Sequence, residues 1–353
     1  MPASQPQSSL LEQKILGCLY GQAIGDAMGM PSELWTKNQV TAYFGWISDF
    51  LPGPEENIAA NEFEAGEFTD DTSQCVALMD AIIEDEGDII PENIAKHIIA
   101  WAKRIDAFEK NILGPTSKSA LTAITQGVPF EKIEANGVTN GSAMRVAPMG
   151  CLLPTHDKDQ FVSGVRLSCL PTHKSDIAIA GAVVISWAIS RALEGASWQQ
   201  IKGEVIPLAN DTQRQHESTF SPLLGHRINF ALAVVQASAS AQDAKTALND
   251  LYEQVGAGMD IIESVPTAIA LVELADTQPL RCAELAANLG GDTDTIGAMA
   301  VAICGALHGL DAFADQHIDL INQANNIDFT PYAQTLATFR LARIQQEGQD
   351  NEQ

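Results

Sequence analysis

Glycines at positions 17, 21, 25 and 29 recur every four residues in a segment where Ile15, Leu16 and Leu19 already carry helical spacing. All four therefore lie on one slowly drifting stripe of a helix. Each glycine in a helix interior costs about 1 kcal/mol relative to alanine. Four of them need a return, either another helix packed very close to the stripe or a ligand that reaches the bare backbone. Tight helix–helix contact is the expected use. A membrane dimer of the GxxxG kind is not expected, because Gln22 and Asp26 lie within the segment and it is too short to span.

Helical spacing of apolar residues continues along the chain, for example through Cys75, Val76, Met79, Ile82 and Ile83, and through Ile94, Ile98, Trp101 and Ile105. Further helices are expected near 117–126, 159–169, 174–194, 227–239, 241–256, 262–275, 280–288 and 295–308. Strand-type alternation is nowhere convincing, so the fold is expected to be all-α. The 353 residues, 46% of them hydrophobic, suffice for a large core. That length would allow two domains, but no Ser/Gly/Pro-rich linker or step in charge marks a boundary. One helical domain is expected over 12–344, between a disordered tail at 1–11 and a frayed tail at 345–353. Long loops are expected at Asp49 to Phe68, which contains Pro52, Gly53 and Pro54, and at Ala209 to Arg227.

Charge and sorting signals narrow the partners. Forty-five acids against 20 Lys and Arg give a formal net charge of −25, which argues against coating nucleic acid or an anionic membrane. The apolar runs Ile177 to Ile189 and Ile296 to Leu307 fall short of the roughly 20 residues a bilayer requires. The stretch MPASQPQSS has neither basic residues nor an apolar core, so no secretory signal is read there and a cytoplasmic location is expected. Cys18, Cys75, Cys151, Cys169, Cys282 and Cys304 form no CxxC pair and are expected to be buried, reduced thiols.

Two acid-rich segments point to chemistry. Phe68-Thr69-Asp70-Asp71-Thr72 precedes an amphipathic helix, and Gly290-Gly291-Asp292-Thr293-Asp294-Thr295 precedes an apolar one. Helix capping accounts for one hydroxyl or carboxylate at such a start, and does not need adjacent carboxylates at two of them. Taken together, Asp70, Asp71, Asp292 and Asp294 with Thr69 and Thr295 form an all-oxygen set suited to Mg²⁺, Mn²⁺ or Ca²⁺. Four converging carboxylates would repel strongly, whereas two divalent ions about 3.5–4 Å apart would neutralise them. The segments lie more than two hundred residues apart, so their meeting is an expectation from composition. Asp26, on the glycine stripe, is either an acid supporting this centre or a helix-packing or capping partner.

Gly21-Gln-Ala-Ile-Gly-Asp-Ala-Met-Gly-Met-Pro-Ser-Glu33, Phe68-Thr-Asp-Asp-Thr72, Asn140-Gly-Ser-Ala-Met-Arg145, Thr172-His173 and Gly290-Gly-Asp-Thr-Asp-Thr295 occur in an order and spacing that resemble the ADP-ribosylglycohydrolase family. The resemblance runs from about residue 12 to about residue 310. It implies an all-α orthogonal helix bundle with two Mg²⁺ or Mn²⁺ ions in a cleft, held by Thr69, Asp70, Asp71, Asp292, Asp294 and Thr295. By the same resemblance Glu33 approaches the metals and the scissile ribose, and Glu33 with Asp294 is the expected catalytic set. Asn140, Gly141 and Ser142 match a loop that holds ADP-ribose, His173 a substrate-contacting histidine, and Gly114 and Thr116 a substrate-facing stretch. Met144 and Arg145 share a motif with this loop and carry no assigned role.

The implied reaction is hydrolysis at ribose C1, with a metal pair orienting the vicinal hydroxyls and a water, and Glu33 positioning that water or acting as acid or base. Family members that release ADP-ribose from arginine carry an Asp two residues before a Gly in a loop that here reads Ile112-Leu113-Gly114-Pro115-Thr116, without an acid. Serine-linked ADP-ribose, O-acetyl-ADP-ribose and a smaller ribosyl compound such as a nucleoside are therefore the expected substrates. The alternatives are a non-catalytic ADP-ribose- or nucleotide-binding or crystallin-like member, and a two-metal phosphohydrolase, for which the His-rich ligand set is missing.

Overall fold

The antiparallel contact between two helices, α1 (Gln7–Gly29) and α14 (Thr293–His308), brings backbone against backbone at each glycine of the stripe. A Cβ added to Gly17 would lie 2.4 Å from the Gly305 carbonyl oxygen, one on Gly21 2.4 Å from that of Val301, and one on Gly25 2.2 Å from that of Gly297. Gly29 meets Thr293 in the same way, at 2.4 Å. The second helix reciprocates, because a Cβ on Gly297 or Gly305 would collide with the Gly25 or Gly17 carbonyl oxygen. The glycine stripe thus serves helix packing. It sets the Gly29 end of one helix against the Thr293 start of the other.

The computed structural model describes residues 7–110, 113–216, 218–239 and 244–350. Between the two helices already named lie α2 (Lys37–Phe44), α3 (Asp70–Glu84), α4 (Pro91–Arg104), α5 (Pro115–Thr125), α6 (Ala147–Leu152), α7 (Lys158–Cys169) and α8 (Asp176–Leu193). They are followed by α9 (Trp198–Gln213), α10 (Leu224–Ala239), α11 (Ala244–Asp250), α12 (Ile261–Leu274) and α13 (Pro279–Ala287). The chain closes with α15 (Asp315–Asn325) and α16 (Thr330–Asp350). Among the described residues the only extended pairings are two isolated bridges, Trp35 with Gly291 and Thr139 with Asp260. The fold is all-α and forms one domain around a single large core.

Apolar content decides the layering. Helices α8, α12 and α14 are strongly apolar and bury most of their residues, so they run through the interior. Helices α4, α13 and α15 are amphipathic; α13 packs on α1, α12 and α14, α4 on α3, and α15 on α1. Starts are marked by Pro at the first turn of α4, α5, α6 and α13, and by side-chain caps from Thr36, Asp157, Ser175 and Ser197. The 18 residues of α8 have a mean hydropathy of 1.6 and are long and apolar enough to cross a bilayer, but 94% of them are buried inside the protein. All six cysteines are buried and unpaired.

The expected loop at Ala209 to Arg227 is much shorter, because α9 continues to Gln213 and α10 begins at Leu224. Thr212 and Gln213 are buried there, while Asp211, Arg214, Gln215, Ser218 and His226 are exposed. The Gln213 amide donates to the Asp176 carboxylate and the Pro222 carbonyl, and its oxygen accepts from the Leu224 amide. The expected loop at 49–68 is irregular throughout. Helix α1 begins at Gln7 and α16 runs to Asp350, so 7–11 and 345–350 are helical where tails were expected; 1–6 and 351–353 lie outside the described residues. Of the helix expected at 241–256, 241–243 lie outside them, 244–250 are α-helical and Leu251–Val255 form a π-turn.

Gly25→Ala should destabilise the fold by about 1–3 kcal/mol, the usual cost of overpacking, because the methyl group would meet rigid backbone. Gly203→Ala in α9, where a Cβ meets nothing within 4 Å, should instead gain up to about 1 kcal/mol from helix propensity. Urea unfolding midpoints of the two variants check both signs.

Candidate active site

The α1–α14 contact delivers the acids to one end of the bundle. From Gly29 the chain makes a 3₁₀ turn at Met30–Ser32 and presents Glu33, while Asp292 and Asp294 stand at the start of α14. Leu34 donates to the Gly291 carbonyl at 2.7 Å and Gly291 donates to the Trp35 carbonyl at 2.7 Å, which fixes Glu33 beside the Gly290–Asp292 turn. Both turn glycines have positive φ, 81° and 84°. A Cβ on Gly290 would meet the Lys37 backbone and one on Gly291 the Ala257 carbonyl, so only glycine fits this crossing. The Asn57 side chain, from the long irregular loop, donates to the Pro31 and Glu33 carbonyls at 3.1 and 3.0 Å.

Asp26 brings in the second acidic segment. One of its carboxylate oxygens accepts from the Thr69 amide at 2.9 Å, and the other from the Thr72 amide at 3.0 Å and the Thr72 hydroxyl at 2.6 Å. It is a buried cap for α3 supplied by α1, and so binds the start of the acid-bearing helix to the glycine-striped one. The Thr69 hydroxyl then lies 3.1 Å from Asp71 Oδ2 and 3.3 Å from Asp294 Oδ2. The two acid clusters therefore meet, across more than two hundred residues of sequence.

The electrostatics of this basin are severe. Burial pushes the Asp71 and Asp294 carboxyls well above the usual carboxylate range, and the neighbouring acids push them further. Burial with repulsion from Asp26 and Asp292 raises Asp70 to about 7, and burial raises Asp292 to about 6 against the hydrogen bonds from Asn140 and Thr295. Glu33 is raised by burial and by the nearby charges of Asp294, Asp292, Asp70 and Asp71. Asp71 Oδ1 and Asp294 Oδ1 are buried without any hydrogen-bond partner. Among the described residues no three carboxylate, imidazole or thiol groups form a ready-made ion cage. The oxygen-only donor set and its two orphaned oxygens nevertheless fit a hard divalent cation, which would satisfy them and offset the repulsion.

The expected substrate residues form a wall on one side. Asn140 donates from its side chain to Asp292 at 2.5 Å, and its backbone amide donates to Met259. Gly141 lies against the His173 ring, where a Cβ would sit 2.8 Å from Cε1. The Ser142 hydroxyl donates to the Ala178 carbonyl in α8. His173 has no exposed surface, and its two ring nitrogens meet Thr172 at 2.9 Å and Thr139 at 3.0 Å. Burial and the Arg145 charge lower it to about 3, so the ring is neutral. Thr116 lies 3.4 Å from the Thr139 hydroxyl. Gly114 is the exposed residue preceding α5, and Ile112 lies outside the described residues. Cavities of about 440 and 540 Å³ open elsewhere, around α7, α16 and the Leu152–His156 turn, and none of these acids lines them.

The sequence reading missed Asn57, Thr139 and Gln74. Gln74 had a legible signal, because it sits four residues after Asp70 on the same face of α3, and its amide donates to Asp70 Oδ2 at 2.8 Å.

The sequence model of the ADP-ribosylglycohydrolase family matches residues 7–350. The chain belongs to that family. It is 56% identical over 331 residues to uncharacterized protein YegU of Escherichia coli (strain K12), covering 94% of this chain and 98% of that protein. It is 27% identical over 316 residues to ADP-ribosylhydrolase ARH3 of Bos taurus, covering 84% and 85%. A solved structure titled ADP-ribosylglycohydrolase-related protein complex shares the fold, with a TM-score of 0.69 at 22% identity over 94% of this chain and 99% of that one. As a member of this family the protein is a hydrolase of the glycosidase class.

Asp26→Ala should cost about 1–3 kcal/mol, since two backbone amides and a hydroxyl at the start of α3 would be left buried and unpaired. Chemical denaturation reads this directly. Stability equal to the parent chain would show that the cap is dispensable.

Proposed function

We propose that this family member cleaves the glycosidic bond at C1 of an ADP-ribosyl group with the help of two divalent cations, Mg²⁺ or Mn²⁺. The pair of buried, unpartnered oxygens on Asp71 and Asp294, in a basin where two acid-bearing helix starts meet, is the observation that carries this reading. Thr69, Asp70 and Asp71 on one side and Asp292, Asp294 and Thr295 on the other would hold the ions. When bound, such ions supply positive charge that orients vicinal ribose hydroxyls and acidifies a water.

The chain's own residues do the rest. Glu33 stands on a backbone segment pinned by Asn57 and by the bridge to Gly291, beside the turn that carries Asp292. It suits the handling of a proton at the attacking water or the leaving oxygen, near a C1 that develops oxocarbenium character. Asn140 ties the substrate loop to Asp292, and Gly141 lets that loop pack closely on the His173 ring. The ARH3 name of several relatives favours ADP-ribosyl substrates. Leu113 to Thr116 offers no carboxylate to an arginine guanidinium, which favours other linkages. A smaller riboside is the second reading, favoured by the uncharged hydroxyls and imidazole along Thr116, Thr139 and His173.

Release assays on serine-linked and arginine-linked ADP-ribose, O-acetyl-ADP-ribose and nucleosides, with and without chelator, test this. Free ADP-ribose from non-arginine substrates is expected, lost on chelation and restored by Mg²⁺ or Mn²⁺. Chelator-resistant turnover or release of inorganic phosphate would contradict it, and nucleosides as sole substrates would select the second reading. Glu33→Gln should lower kcat by about 10²–10⁴-fold while Mn²⁺ still raises the melting temperature. Unchanged turnover in that variant, with Asp294→Ala inactive, would remove Glu33 from the chemistry.

A further inference from the structure

Arg145 is almost wholly buried and makes no ion pair among the described residues. Burial lowers its guanidinium to about 10, which still leaves it charged at neutral pH. One terminal nitrogen donates to the Gly141 carbonyl at 2.7 Å and to Gln74 Oε1 at 3.2 Å, and the other donates to the Thr172 hydroxyl at 2.7 Å. A guanidinium can only donate. That one-way chemistry orders every group attached to it.

Toward the acids, Gln74 must turn its oxygen to Arg145, so its NH₂ group faces Asp70 and donates to Oδ2 at 2.8 Å. Toward the substrate wall, the buried Thr172 hydroxyl accepts from Arg145 and has no acceptor other than His173 Nδ1 among the described residues, so its proton goes there. The neutral ring then carries its own proton on Nε2 and donates to Thr139, whose hydroxyl is directed to Thr116. Hydroxyls, amide and imidazole could each point either way in isolation. Arg145 removes the ambiguity.

We propose that Arg145 and Gln74 are positioning residues: one buried guanidinium fixes, through Gln74, which oxygen of Asp70 is committed and which is free for a ligand, and fixes, through Thr172, the Nε2–H tautomer of His173. The proposal rests on the cation reading above for its Asp70 branch. Its His173 branch stands without it. The interior charge is thus retained in a place where an apolar side chain of similar size would leave both branches free to flip.

Calorimetric titration of the full chain with Mn²⁺ tests the first branch. Gln74→Leu and Arg145→Lys, which keeps the buried charge but loses the planar fork, should each weaken Mn²⁺ binding by about tenfold, a typical effect of losing a partner that orients a ligand. The double variant should bind no more weakly than Gln74→Leu alone, because Arg145 acts on Asp70 through Gln74. Metal-free melting temperatures identify folded variants, and a purely structural role would move these without changing Mn²⁺ affinity. Single-variant affinities within about twofold of the parent, or fully additive losses, would overturn the Asp70 branch. If the parent chain itself takes up no Mn²⁺, the cation reading fails and this branch with it. Long-range ¹H–¹⁵N spectra of the histidines test the second branch on metal-free protein: an Nε2–H ring at His173 in the parent, lost from a single tautomer in Arg145→Lys, supports it. An Nδ1–H ring in the parent would overturn it.

Discussion

Everything at the acidic end depends on how closely α1 and α14 approach. Their contact is backbone against backbone over three turns, which only glycine at Gly17, Gly21, Gly25, Gly297 and Gly305 allows. Such a contact is stiff, because there are no side-chain rotamers to absorb a shift. It holds Glu33, which follows one helix, and Asp292 and Asp294, which begin the other, in a fixed relation. The helix-propensity cost of these glycines is what secures the placement.

Asp26 extends that rigid pair to a third element. As a buried cap it orders the start of α3, and so sets Thr69, Asp70 and Asp71 opposite Asp294. The resulting basin concentrates negative charge where burial makes it costly. Hydrogen bonds from Gln74, Asn140 and Thr295 relieve part of the repulsion, and the oxygens of Asp71 and Asp294 that have no partner mark where relief is missing. The arrangement resembles a site selected for a ligand more than one selected for stability. The rest of the chain's acid excess lies mainly in exposed positions and has no part in it.

Much of this was legible in the residues. Periodicity pointed to an all-α chain, the four-residue glycine spacing to a close helix contact, and the two acid-rich helix starts to a shared centre. What escaped was of two physical kinds. Helices α2, α9, α15 and α16 carry many polar residues, and in α9 some of these, such as Thr212 and Gln213, are buried, so composition imitated a loop. The polar support of the site escaped because Asn57, Gln74, Thr139 and Arg145 act through side-chain orientation, which sequence spacing does not specify unless the partner lies one turn away on the same helix. His173 matched a substrate-contacting position by motif, and its side chain is enclosed between Thr139 and Thr172.

The two acid-bearing helix starts, brought together by a glycine contact, are proposed to form one cation-binding centre. Anomalous diffraction from crystals grown with Mn²⁺ tests it most directly. Two strong peaks are expected between Asp70 and Asp71 on one side and Asp292 and Asp294 on the other, each within bonding distance of carboxylates. Peaks confined to one acidic segment, or placed only at surface carboxylates, would contradict it.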